Sequence, residues 1–109
     1  MKELKFTNTN RKRLIKAAKQ NAVFDNVRMM TLTQRQCHGG LHDIVLCHGI
    51  GFFMISDIGT YSPKNRELLY KFYWQSEGFE SMDEFKREIE RLYADDETLY
   101  VHHLEEVHL

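Results

Sequence analysis

Apolar and polar residues alternate along this chain in stretches that switch between strand and helix spacing. Leu4, Lys5 and Phe6 read as a short strand, after which Thr9 or Asn10 supplies the side-chain oxygen that caps a helix running to about Gln20. Leu14, Ile15 and Ala18 fall on one side of that helix, and Arg11, Lys12, Lys16 and Lys19 fall largely on the others. A loop is expected near Asp25 and Asn26. From Arg28 to Arg35 the pattern alternates, placing Met30 and Leu32 on one face and Thr31, Thr33 and Arg35 on the other, which predicts a strand with a polar side. Asp43 to Cys47 and Phe52 to Ile58 are apolar and β-rich, and His48-Gly49-Ile50-Gly51 joins them as a hairpin.

Two helices follow. Ser62-Pro63 caps and opens the first, in which Leu68, Leu69, Phe72 and Tyr73 recur at helical spacing until Gly78 ends the run. Ser81-Met82-Asp83-Glu84 fits a reciprocal capping box for the second, and Met82, Phe85, Ile89 and Leu92 form its predicted core face. Leu99 to Leu104 closes the chain as a strand behind the acidic turn Asp95-Asp96-Glu97. The order β α β β β α α β, with short connections, favours a curled sheet or barrel with helices packed around it.

Composition narrows this to one small domain over residues 1–109: the chain is 42% apolar and 28% charged, with a single proline and no repeat. No apolar run is long enough for a membrane span, and the N-terminus carries no signal-like apolar stretch, so the expected compartment is the cytoplasm. There Cys37 and Cys47 stay as thiols. Charge changes the picture more than composition does. Residues 1–35 hold nine Lys or Arg against Glu3 and Asp25, a balance of +7, while the remainder carries −8. Such segregation can present a cationic face to an anionic partner, or can be the solvated side of one helix.

Several groups could carry chemistry. Thr31, Thr33 and Arg35 offer two hydroxyls and a guanidinium on one strand face, suited to phosphate oxygens or a base edge; the plainer reading is the solvent side of an edge strand. Glu77, beside Gly78 at a helix end, can accept from an exocyclic amine or stand as a solvated carboxylate. Tyr70 and Trp74 lie off the predicted apolar stripe and are candidates for stacking on a base or for a protein interface. Cys37, His38, His42, Cys47 and His48 bring five possible zinc ligands into twelve positions, yet neither cysteine belongs to a Cys-x-x-Cys pair and Cys47 sits in an apolar segment. No metal and no cofactor are expected. His102 and His103 point to opposite faces of the last strand, one of them inward as a satisfied core histidine.

The run Glu77-Gly78-Phe79-Glu80-Ser81-Met82-Asp83-Glu84-Phe85, with the helix ending in Leu92-Tyr93 and the closing strand after it, resembles the ASCH superfamily. The strand at Leu4 to Phe6, the helix near Leu14 to Lys19 and the segment Leu41-His42-Asp43-Ile44-Val45 extend that resemblance over most of the chain. It implies an α+β fold of the PUA-like β-barrel type and a polar cleft between barrel and helices that accepts RNA, a nucleotide or a modified nucleoside. On that basis Arg11, Lys12, Arg13, Lys16, Lys19, Arg28, Thr31, Arg35 and Trp74 are the expected RNA- or ligand-binding residues. One branch of the family is similar to an amidohydrolase that deacetylates acetylcytidine with a lysine and a threonine of a Lys-Thr-x-Thr segment and a glutamate before the helix cap. Here Thr33 and Glu77 occupy the threonine and glutamate positions, and Met30 stands where the lysine would be. A methionine neither abstracts a proton nor carries charge, so hydrolysis of a modified nucleoside or of RNA is the alternative to binding. A small protein-interaction adaptor is the second alternative.

Overall fold

A computed structural model gives the structure of the protein and describes residues 1–21 and 27–109. The loop expected near Asp25 and Asn26 lies outside the described residues. Among the described residues there are five strands and three α-helices, in the expected order. The first strand, β1, covers Lys2–Leu4, two residues ahead of its prediction. Helix α1 spans Asn8–Gln20 and is capped by Thr7, not Thr9 or Asn10: the Thr7 hydroxyl accepts from the Asn10 amide at 3.2 Å. Strand β2 is Met29–Gln34, and the hairpin forms from β3, Ile44–Cys47, and β4, Gly51–Tyr61.

Pro63–Asn65 makes one 3₁₀ turn before α2, Arg66–Tyr73, which is shorter than the run predicted to Gly78. Its buried stripe also differs from the prediction. Arg66, Leu69 and Tyr70 face inward with Tyr73 partly covered, whereas Leu68 and Phe72 are 45% and 57% exposed. The phase is set by Arg66, whose buried Nη2 donates to the carbonyls of Ala94 at 2.5 Å and Glu97 at 2.8 Å. Positions 66, 69, 70 and 73 share one helix face, so fixing the first turns the others in. Helix α3, Met82–Leu92, starts at Ser81, whose hydroxyl accepts from the Glu84 amide at 3.1 Å. Phe85 and Ile89 are buried as expected, and Met82 and Leu92, at the helix ends, are not.

The sheet is mixed, in the order β1-β3-β4-β5-β2, where β5 is Leu99–Glu106. Only β1 and β3 run parallel. A bulge between Ile55 and Asp57 bends β4 against β5. Side chains on alternate positions of β5 feed two cores. Leu104 joins Met30, Leu32, Phe53 and the buried face of α1, and Leu99 and Val101 join Leu69, Tyr70, Phe85 and Ile89 of α2 and α3. The α+β class is as expected. The hydrogen-bonded sheet is not closed, however: β1 and β2 are its two edges and do not pair with each other. The short β1 leads directly into α1, which packs on one face of the sheet before the chain reaches β2 at the far edge.

Candidate functional site

An edge strand leaves every second amide facing outward without a partner. Along β2 these amides are met by the connection between α2 and α3. The Thr31 amide donates to the Ser76 carbonyl at 3.1 Å, and the Thr33 amide donates to Glu77 Oε1 at 3.0 Å. The side chains repeat the pairing: the Thr31 and Ser76 hydroxyls are 2.6 Å apart, and Thr33 Oγ1 donates to Glu77 Oε2 at 2.5 Å. Thr31 and Thr33 therefore do share a face, but it is buried rather than solvated. Tyr93, just past α3, completes the frame by donating its hydroxyl to the Thr33 carbonyl at 3.2 Å.

Glu77 is 3% exposed. Burial pushes its carboxyl up to about 7, against the opposing pull of the two Thr33 hydrogen bonds and the charge of Arg13. Burial raises the Tyr93 phenol, and the Glu77 carboxylate raises it further. Arg13 reaches Glu77 from α1 at its backbone, not its side chain. Its Nε donates to the Glu77 carbonyl at 2.8 Å and its Nη1 to Asn10 Oδ1 at 2.7 Å, while its guanidinium lies 4.2 Å from the Phe79 ring centre. Phe79 in turn stacks on Phe85 at 4.9 Å. Gly78 makes this closeness possible: its φ is +84° and a Cβ there would sit 2.2 Å from the Arg13 carbonyl oxygen.

These groups border a cavity of about 180 Å³, with Thr33, Glu77 and Tyr93 in its wall alongside Lys5, Gln34 and the ring of Phe6. At about 30 Å³ per water it has the bulk of roughly six waters, enough for one six-membered heterocycle and its substituents. Thr7, Asn10, Arg13, Phe79 and Glu88 also line a larger open groove of about 660 Å³, so Arg13 and Phe79 form a wall common to both.

The predicted site residues divide into three groups. Thr33 and Glu77, 44 positions apart in the chain, are brought into direct contact. Lys12, Arg13 and Lys16 line the open groove, where Lys16 pairs with Glu80, and Arg91 pairs with Glu88 at 2.5 Å. That groove is therefore mixed in charge rather than uniformly cationic. The remaining residues do not join the Thr33–Glu77 cavity. Arg11 bonds Asn8 and lies against Gly49 of the hairpin turn, and Lys19 is exposed near the end of α1. Arg28 is held by Glu106 at 2.5 Å and by the Ile50 carbonyl. Thr31 opens on a separate cavity beside Tyr73 and His103. Arg35 donates to the Leu92 carbonyl and lies 5.3 Å from the Tyr93 ring, on the outside of the site. Trp74 is half-buried against the α2–α3 core and Tyr70 is 3% exposed, so the pair does not form the open aromatic face expected of them.

Among the described residues no three His, Cys, Asp or Glu side chains converge as a metal site. His102 is the inward histidine: its Nε2 accepts from the His38 amide at 3.0 Å, which puts the ring proton on Nδ1, donating to the Leu32 carbonyl at 3.1 Å. No described helix is long and apolar enough to cross a membrane.

The chain matches no family model, no curated protein and no solved structure. What it can do must be read from its own geometry. Tyr93, Lys5, Asn10 and Phe79 were missed as site residues; only the reach of α1 and α3 toward the β2 edge reveals them.

Proposed function

We propose that this chain is a cytoplasmic ASCH-like domain that binds a nucleoside or nucleotide, free or at an unpaired position of RNA, with the heterocycle in the Thr33–Glu77 cavity. The observation that carries this is a buried carboxylate, already hydrogen-bonded to a hydroxyl, in the wall of a cavity of about 180 Å³. An ionised carboxylate has about four lone-pair directions, and Thr33 uses two, which leaves acceptor capacity for an amine or ring N–H. Sugar and phosphate would lie in the adjoining groove, where Lys12, Arg13 and Lys16 meet them. A sheet bent at its bulge, with α1 leading from one edge strand to the other, is compatible with the PUA-like class.

The hydroxyl-to-carboxylate distance of 2.5 Å favours a second reading, hydrolysis of an amide on a modified nucleoside. Glu77 would take the proton of Thr33, or of a water, as oxygen adds to the acyl carbon, and return it to the departing amine. Met30 is buried in the α1 core and does not line the cavity, so any cation for that reaction comes from Lys5 or Arg13.

The test is an amide-resolved NMR titration with nucleosides, nucleoside monophosphates and a short single-stranded RNA. Shifts centred on Thr33, Glu77 and Tyr93, abolished by Thr33→Val, support the reading. Shifts confined to other surfaces, or none at all, refute it. Release of acetate from acetylcytidine that stops in Glu77→Gln would select the hydrolase.

A further inference from the structure

Glu77 forms no ion pair among the described residues, although it is one of the most deeply buried charged groups in the chain. Both of its hydrogen bonds come from Thr33, a neutral donor. Arg13 acts on it through space only, because its Nε and Nη1 are turned to a backbone carbonyl and to Asn10 and its flat face to Phe79. The cavity wall also includes the rings of Phe6, Phe79, Phe85 and Tyr93, of which Phe79 carries the Arg13 guanidinium and Tyr93 that of Arg35. A buried carboxylate that bonds only neutral donors, in the wall of a cavity, is an arrangement that a flat cation bearing an N–H can complete.

We infer that the Thr33–Glu77 cavity selects a positively charged heterocycle bearing an N–H donor over its neutral counterpart. The inference rests on the nucleoside reading above and sharpens it to a ligand class, a base carrying a delocalised positive charge. Lys5 and Arg13 also border the cavity and repel a cation, while Glu88 is engaged by Arg91. Selection therefore requires that the ligand seat its charged N–H directly on the carboxylate. The raised carboxyl of Glu77 fits this, since desolvation there outweighs all the compensation that Thr33 and Arg13 provide. A ligand cation supplies what is missing.

The matched probes are cytidine and N3-methylcytidine, whose ring is cationic at neutral pH and keeps its exocyclic amine. Calorimetric titration of the intact protein should show N3-methylcytidine binding about tenfold more tightly, because its charge adds an ion pair to the hydrogen bond that the carboxylate accepts from either probe. In Glu77→Gln, which keeps an acceptor for the Thr33 amide, the ratio should fall to about one. Equal affinities in the wild type, or tighter cytidine, would overturn the selection and leave the nucleoside reading intact. Failure of both probes and of every other nucleoside would overturn the nucleoside reading itself. Should Glu77→Gln not fold by circular dichroism, the wild-type ratio alone decides.

Discussion

The buried carboxylate of Glu77 makes the stability of this fold depend on pH in an unusual direction. Its carboxyl is raised from 4.5 to about 7 on folding. Between those values the folded chain holds a proton that the unfolded chain has released, so stability is fully present at the acidic end and is lost as pH rises through about 7. At 1.36 kcal/mol per pH unit of displacement, the loss is about 3 kcal/mol. For a domain of this size that corresponds to a fall in Tm of roughly 12 °C. His38, His102 and His103, all held below their usual values by burial, act in the opposite sense and add stability as pH rises through the histidine range. Urea unfolding of the wild type and of Glu77→Gln at intervals from about pH 5 to about pH 8 separates the two effects, because the histidines are common to both proteins. The variant should lack the decline and should exceed the wild type in stability at the alkaline end. Parallel curves for the two proteins would refute the argument that Glu77 is buried at a net electrostatic cost.

Three further outcomes follow from the packing. Gly78→Ala should lose more than about 2 kcal/mol in denaturant titration, since it adds a positive-φ strain to a backbone clash with Arg13. His102→Leu removes the partner of both the His38 amide and the Leu32 carbonyl, for a loss of about 2 to 4 kcal/mol; an unchanged midpoint would mean those groups have other partners. Cys47 is fully buried with its thiol pushed up to about 12, while Cys37 is exposed, so brief native alkylation read by mass spectrometry should label Cys37 alone and denatured protein should take both labels.

The elements were legible because each is specified by residues close in the chain. The Ser81 cap reads directly from the sequence, as do the alternation through Met30 to Thr33 and the glycines of the hairpin. The mistakes share one origin. Of the predicted α2 stripe, Leu68, Leu69, Phe72 and Tyr73, the structure exposes Leu68 and Phe72, because Arg66 turns the helix toward two carbonyls of the α3–β5 turn. Arg28 and Arg35 shared the charge pattern of the α1 cations and proved to be tied elsewhere, Arg28 to Glu106 and Arg35 to Leu92. A sum of charges along a sequence contains no directions.

What the sequence determined by itself is the order of strands and helices, because caps and periodicity act over a few residues; the pairing of Thr33 with Glu77 as candidates came from the family resemblance. Only the tertiary structure decided that Thr33 and Glu77 touch, that both are withdrawn from water, and that Arg13 and Tyr93 frame the space beside them. Those facts depend on α1, β2 and the α2–α3 connection meeting at one edge of the sheet. The driving force for that meeting is the burial of two separate apolar clusters, which no local pattern along the chain encodes.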